Sequence, residues 1–167
     1  RLMVSGPPAS PFSATVRVAR SDIGVTEETR ILVPVDDATG AQADAVAGDL
    51  LARIADRSQM LMGTAWLSRG AADATIAPYW PSLPQPLAAV IGARGVRSIG
   101  VDVEAVEREV GAMRIGNRRA PSVLLPFGAD AVRWTNFIAA IRAYGDTRVF
   151  EALLPAGLVQ SGGRRAP

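Results

Sequence analysis

The chain has 167 residues and a formal net charge of +2, which allows one domain with a hydrophobic core but is short for two. It contains no Cys, His or Lys, which excludes disulfides, Ser-His and Cys-His nucleophile pairs, imidazole or thiolate metal sites and P-loop lysines, so no enzyme is expected. Dispersed arginines and the absence of any long apolar run also argue against a nucleic-acid partner or a membrane span within the chain.

The first part of the chain predicts an arm followed by an edge strand. Residues 1–13 are rich in Pro, Ser and Gly, which predicts a linker or extended arm. Residues 14–19 alternate apolar and polar side chains, which predicts a short strand at the margin of a sheet. The polar run 21–29 is interpreted as a connection. A single domain is therefore expected over residues 14–155, with a flexible tail over 156–167.

The stretch RILVPVDDATGAQADAVAGDLLARIADR, residues 30–57, predicts a strand, a turn and a helix. Its first residues are apolar without alternation, as in a parallel strand that is covered on both faces. Asp36, Asp37 and Thr39 mark the turn, and the apolar residues that follow recur with helical spacing on one side. In open α/β sheets, ligands bind beyond the end of such a strand, so these residues are candidate ligand contacts.

The middle of the chain predicts further elements. Residues 60–67 form an apolar run and predict a second strand. Prolines spaced through residues 78–86 exclude a regular helix there, and residues 87–93 predict a short helix that ends at a glycine. Residues 96–106 alternate valine and isoleucine with polar residues, which predicts a third strand with one solvated face. The acidic cluster around Glu107 is interpreted as a solvated turn or short helix rather than a metal or acid/base site.

The last part of the chain repeats the pattern of residues 30–57. Residues 122–145 place an apolar strand, a small-residue turn at Gly128 and an amphipathic helix in the same order. Residues 148–154 then predict a fifth strand. Together, the elements predict an α/β fold with a doubly wound, mainly parallel five-stranded sheet, helices on both of its faces and an extra edge strand.

Residues 30–57 resemble the opening of a universal stress protein, in which a strand of the type ILVPVD is followed by a polar turn and a helix of small and apolar residues. The order of elements over residues 30–155 is compatible with that fold. The resemblance implies a non-catalytic regulatory or sensory domain, which also occurs as the cytoplasmic tail of membrane transporters, and a homodimer formed through the last strand. A chain that begins without Met and opens on a proline-rich stretch agrees with a membrane domain in the parent protein.

The resemblance also implies a nucleotide site. In universal stress proteins that bind ATP, the Asp that closes the first strand contacts the nucleotide, and Asp36 matches it here. The family's phosphate-binding loop follows the fourth strand, where this chain has the single glycine Gly128. The expected ligand is therefore ATP, AMP or a cyclic dinucleotide at an edge formed by Asp36, Asp37, Thr39 and Gly128, and no catalytic residue or metal ligand is assigned.

Other interpretations of the same chain stay open. Asp37 or Thr39 is placed to cap the helix that follows. Asp36 and Asp37 are also the kind of oxygen ligands that bind Mg²⁺ in a carboxylate-dependent enzyme. A third alternative, from a different class, is a structural module of a larger assembly such as a secretion machine or a virion. In that case, the proline-rich arm and the arginine-containing tail make the contacts.

Overall fold

The computed structural model describes residues 2–6, 13–21, 24–35, 42–67, 86–127 and 131–153. In chain order, the elements are strands β1 (Leu2–Ser5), β2 (Ser13–Ser21) and β3 (Gly24–Leu32), helix α1 (Ala43–Arg57), strands β4 (Met62–Ala65) and β5 (Ala88–Ile91), helices α2 (Ala93–Ile99) and α3 (Val103–Val110), strands β6 (Met113–Asn117) and β7 (Ala120–Pro126), and helices α4 (Ala131–Tyr144) and α5 (Thr147–Leu153).

The strands belong to two antiparallel sheets. One has three strands in the order β1-β2-β3, and the other has four strands in the order β4-β5-β7-β6. The mixed α/β class is thus confirmed, whereas the doubly wound, mainly parallel five-stranded sheet is wrong, because every described strand pair is antiparallel. The apolar pattern of a strand indicates how many of its faces are buried, but it does not define the direction of its neighbours. Among the described residues, no helix is long and apolar enough to cross a membrane.

The three-stranded sheet contains the predicted edge strand and a longer strand beside it. β2 includes the strand predicted over residues 14–19, whereas β3 extends back through residues that were expected to form a connection. Val25, Glu27, Thr29 and Ile31 follow one another on one face of β3, and all four side chains are exposed. The polar residues of this segment therefore fit a strand with a solvated face.

The four-stranded sheet is built around β5, which pairs with the second half of β7. Every residue of β5 is buried. Because neighbouring residues of a strand point to opposite faces, Val90 and Leu124 belong to the hydrophobic core on one side of the sheet, and Ile91 and Val123 belong to the core on the other side. The two central strands are thus covered on both faces.

Helix α1 covers one face of this sheet. Ala47, Leu51 and Ala55 follow at intervals of one helical turn and pack with Val90 and Leu124 in one buried cluster. The small alanine side chains let the helix axis approach the strands closely. The helix predicted within residues 30–57 is therefore confirmed, although it lies against an antiparallel sheet.

Helices α2, α3, α4 and α5 contribute to the core on the opposite face. Phe127, which directly follows β7, packs edge to face against Trp134 with ring centroids 5.2 Å apart and against Phe137 at 5.7 Å. Trp134 and Phe137 come from α4, so the helix predicted within residues 122–145 is confirmed. Phe150 of α5 is fully buried in the same core. This face carries the aromatic part of the core.

Two predicted elements have the wrong type. The helix predicted over residues 87–93 is instead strand β5, because a short apolar run enclosed by neighbouring strands fits a strand that is buried on both faces. The strand predicted over residues 148–154 is instead helix α5. It begins where the Asp146 carboxylate accepts hydrogen bonds from the N–H groups of Arg148 and Val149.

The strand predicted over residues 96–106 is also wrong, since this segment contains the end of α2 and the start of α3. Gly100 ends α2 in the left-handed region, with φ 67° and ψ 37°. Asp102 then caps α3 by accepting a hydrogen bond from the N–H of Ala105 at 3.0 Å. Val96 and Ile99 in α2 lie three positions apart, as do Val103 and Val106 in α3, so this spacing fits a buried helix face as well as a loose alternation.

Helix α2 begins in close contact with the segment that joins α1 to β4. The N–H of Gly92 donates to the carbonyl oxygen of Leu61 at 3.1 Å. A Cβ atom on Gly95 would lie 1.9 Å from that same oxygen, and a Cβ on Gly92 would lie 2.3 Å from the carbonyl oxygen of Met60. Glycine is therefore required at both positions, and the contact fixes α2 beside the end of α1.

Gly95→Ala should destabilise the domain by about 3 kcal/mol or more, because its methyl group would overlap the Leu61 carbonyl and displace α2. Gly48→Ala is the matched control, since Gly48 also lies inside a helix but an added Cβ would have nothing within 4 Å. Alanine is favoured over glycine in a helix by about 0.5–1 kcal/mol, so this control should be stabilised. Urea unfolding measures both, and a Gly95→Ala variant as stable as the wild type would contradict the close packing.

Candidate functional site

A polar cleft lies where α1 ends against the four-stranded sheet. Its volume is about 210 Å³, and its walls are the end of α1, the start of α2 and the β6–β7 hairpin. Its lining includes Asp56, Gln59, Arg94, Arg97, Asn117 and Ser122. Three elements that are distant in the sequence thus bring charged, amide and hydroxyl groups to one place.

The end of α1 forms the first wall. The helix stops at Arg57, and the extended backbone of Ser58, with φ −129° and ψ 162°, leads the chain away from the helix axis. Asp56 lies in the last turn of the helix, and its Oδ1 is 3.9 Å from the position that a Cβ on Gly116 would take. The carboxylate therefore reaches β6 and supplies a negative charge to the cleft.

Helix α2 forms the second wall through Arg94 and Arg97. These residues lie three positions apart on one side of the helix, and both side chains are exposed. Neither guanidinium is within ion-pair distance of a carboxylate in the part of the chain that the structure describes. Because the glycine contact fixes α2 beside α1, both arginines line the cleft, and among the described residues neither forms an ion pair.

The β6–β7 hairpin forms the third wall. Asn117 is paired with Ala120 across the turn, and its Oδ1 accepts a hydrogen bond from the N–H of Arg119 at 2.9 Å. The side-chain amide of Asn117 keeps its N–H groups as donors. Ser122, on β7, is only 4% exposed and lies opposite Ile115, on the face that packs against α1. A buried hydroxyl thus forms part of the base of the cleft.

This set of groups suits an anion. Two guanidinium groups, an amide and a hydroxyl can donate hydrogen bonds, and guanidinium groups bind carboxylates and phosphates in a planar, two-pronged geometry. The charged groups in the lining are Arg94, Arg97 and Asp56, which together leave an excess of positive charge. Pockets that enclose a whole small molecule usually exceed about 300 Å³. A cleft of about 210 Å³ therefore fits one anionic group of a ligand whose remainder lies outside.

A second charged cluster joins α3 to β6. Arg114 donates to the Glu107 carboxylate through Nη2 at 2.8 Å and through Nε at 3.3 Å. This hydrogen bonding to Glu107 raises the pKa of Arg114, and the charge of Glu104, 4.0 Å away, adds to the effect. The acidic cluster that was expected to be solvated therefore also connects β6 to α3. Arg114 is bound to Glu107, so it is not counted as a donor for a ligand.

The residues predicted to form a nucleotide edge, Asp36, Asp37, Thr39 and Gly128, lie outside the described residues. The strands that precede them belong to different sheets, because β3 is in the three-stranded sheet and β7 is in the four-stranded sheet. The described sheets thus contain no single parallel edge at which the two strand ends would meet. Nor does the described part of the chain contain a group of three acidic side chains that could hold a metal ion.

The arginines of the cleft are not among the site residues predicted from the sequence. The pair Arg94 and Arg97 has the three-residue spacing of one helix face, in a segment whose glycines and apolar residues otherwise indicate burial. Placing residues 96–106 in a strand separated the two arginines, since it put Arg97 on the solvated face of a sheet. A helix predicted over residues 93–99 would have placed the two arginines on the same side of one element.

Residues 1–146 match the family described as DUF6177, C-terminal domain. Because this match spans most of the 167 residues, the chain belongs to that family. The matched range contains every residue that lines the cleft. No match is found among the curated proteins or among the solved structures. The resemblance to universal stress proteins receives no support from these comparisons.

Proposed function

We propose that this member of the DUF6177 family is a non-catalytic regulatory or sensory domain that binds an anionic ligand in the cleft between α1, α2 and the β6–β7 hairpin. One observation carries the proposal. Arg94 and Arg97 stand on one side of α2, exposed and without an ion-pair partner among the described residues, and they line the same cleft as the buried hydroxyl of Ser122. Solubility alone would not require two arginines and a buried hydroxyl to line the same cleft.

The energetics favour binding of an external anion by Arg94 and Arg97 over ion pairs between these arginines and carboxylates of the described chain. An ion pair of an exposed arginine contributes up to about 1 kcal/mol, and the two guanidinium groups can act on the same anion. Asp56 opposes an anion, but it is a single carboxylate against two guanidinium groups. The expected binding is therefore weak to moderate and reversible, as suits a sensor of a metabolite.

The expected nucleotide ligand remains a proposal in a narrower form. ATP, AMP and cyclic dinucleotides all carry phosphates that match the donors of the cleft. With about 210 Å³ available, the cleft would take a phosphate group, while the base and ribose would lie on the surrounding surface. The proposed site is thus formed by Arg94, Arg97 and Asn117 rather than by an edge at Asp36.

Orthophosphate, AMP, ATP and a cyclic dinucleotide should each raise the melting temperature of the chain, because a ligand that binds only the native state stabilises it. A differential scanning fluorimetry series up to about 10 mM ligand covers the millimolar range of affinity. The double variant Arg94→Ala/Arg97→Ala should lose the shift. Without ligand, it should remain within about 0.5 kcal/mol of the wild-type stability, because both side chains are exposed.

Asp56→Asn is a control in which the ligand-induced rise in melting temperature should change in the opposite direction. This substitution removes the negative charge of the cleft, so the ligand-induced shift should increase. An unchanged shift in Arg94→Ala/Arg97→Ala, or no shift with any of the four ligands in the wild type, would overturn the proposed function.

A second candidate function, a structural module of a larger assembly, is favoured by the three-stranded sheet. Val18, Val25 and Ile31 lie on one face of this sheet and are 63%, 72% and 55% exposed. β3 is the terminal strand of the sheet, and its nine residues have no second neighbour among the described strands. A long, partly apolar edge strand is a surface to which another strand can add. A homodimer formed through β3 is the simplest such assembly.

If β3 pairs with a second copy, the chain should associate reversibly as its concentration rises from about 10 µM to 500 µM, a range that detects weak association. The double variant Val25→Lys/Ile31→Lys should remain monomeric, because it places charges on the exposed face of the edge strand. Val46→Lys is the matched control, since Val46 is an exposed valine on α1. Sedimentation velocity measures all three, and a wild-type chain that stays monomeric would contradict the β3 homodimer.

A further inference from the structure

The tip of the β6–β7 hairpin carries Arg118 and Arg119 beside the cleft. The two residues lie between Asn117 and Ala120, and both of these neighbours line the cleft. We propose that the ligand carries at least two adjacent phosphate groups, with one phosphate bound by Arg94 and Arg97 and the next bound by Arg118 and Arg119. This inference rests on the proposed function and names its ligand class: a polyphosphate chain, either free or as part of a nucleotide.

The hairpin fixes where these charges stand. Asn117 and Ala120 are paired across a tight turn, and the bond from the Arg119 N–H to Asn117 Oδ1 closes that turn from within. Gly116, just before it, has φ +77°, a conformation that glycine adopts readily, and it pairs with Pro121 in regular register. The tip is therefore a defined structure, and its arginines stay next to the cleft wall formed by Asn117.

The arginines around the cleft differ from several arginines elsewhere on the same unit. Arg53, Arg108, Arg114 and Arg142 each lie within ion-pair distance of a carboxylate, and the nitrogen–oxygen distances run from 2.8 to 3.8 Å. For the two arginines of the hairpin tip, the described residues contain no such carboxylate. In the part of the chain that the structure describes, positive charge thus exceeds negative charge at the cleft and along its rim, where a second anionic group would arrive.

The number of charges favours a polyanion over a single anion. A ligand with one anionic group meets Arg94 and Arg97 together with the opposing carboxylate of Asp56. A second anionic group reaches Arg118 and Arg119 without a further opposing carboxylate in the lining. A second anionic group therefore adds attraction from Arg118 and Arg119, which would make the number of phosphate groups in the ligand the property that the site recognises.

Isothermal titration of the full 167-residue chain with orthophosphate, pyrophosphate and tripolyphosphate tests this inference. An exposed ion pair changes affinity by up to about fivefold, so the two added pairs together should make tripolyphosphate bind about fivefold more tightly than orthophosphate at a fixed salt concentration. In Arg118→Ala/Arg119→Ala, the affinity for orthophosphate should be kept and the gain with tripolyphosphate should be lost. ADP compared with pyrophosphate distinguishes a nucleotide from a free polyphosphate.

The matched control is Arg108→Ala/Arg148→Ala, which removes the same charge from exposed positions on α3 and α5. It should keep the gain with tripolyphosphate, because its arginines lie on the helices that cover the other face of the sheet. An equal loss of the gain in both double variants, or a full gain in Arg118→Ala/Arg119→Ala, would overturn the inference while orthophosphate binding still supports the proposed function. Absence of binding by all three anions would overturn both.

Discussion

The antiparallel pairing of β5 with β7 is the interaction on which the rest of this unit depends. Both strands are buried on their two faces, so Val90 and Ile91, although adjacent in the chain, belong to different hydrophobic cores. Each fully buried aliphatic side chain contributes about 1.5–3 kcal/mol, and no position of β5 is exposed to tolerate a polar residue. Helices on both sides of the sheet are therefore positioned by the same two strands.

The two faces of the sheet are covered unequally, and the cleft follows from this difference. One face is closed by several helices around the aromatic cluster of Phe127, Trp134 and Phe137. The other carries α1, whose buried residues apart from Leu51 are small and which stops at Arg57. Beyond that end, the start of α2 and the β6–β7 hairpin enclose the cleft. Polar groups from α2 and the hairpin line the space that remains.

Part of this fold could be predicted from the sequence because, in some segments, the spacing of the apolar residues fits only a helix or only a strand. The long amphipathic segments that became α1 and α4 repeat over several turns, and the apolar runs of β4 and β7 are too short for a helix of that length. Residues 96–106 fit two periods, since apolar residues three apart also resemble an alternation. The left-handed Gly100 and the Asp102 cap were the local signs that separated α2 from α3.

The direction of the strands could not be predicted in the same way. Two strand-turn-helix units with similar patterns suggested two parallel units of one sheet, yet β3 and β7 belong to different antiparallel sheets. Strand direction depends on which partners the chain returns to, and that information is not contained in the burial of a single strand. The candidate site could not be predicted from the sequence for the same reason. Arg94, Arg97 and Asn117 come together only when α2 and the hairpin are placed against the end of α1.

Titration of the ¹⁵N-labelled chain with orthophosphate, followed by the chemical shifts of its backbone amides, tests the central claim most directly. If the cleft binds an anion, the changes should concentrate on Gln59, Arg94, Arg97, Asn117 and Ser122 and should saturate together. The amides of α3 and α5 should stay unchanged, because those helices cover the opposite face of the sheet. Chemical-shift changes centred on α3 and α5, or no saturable change at the cleft residues, would contradict anion binding in the cleft.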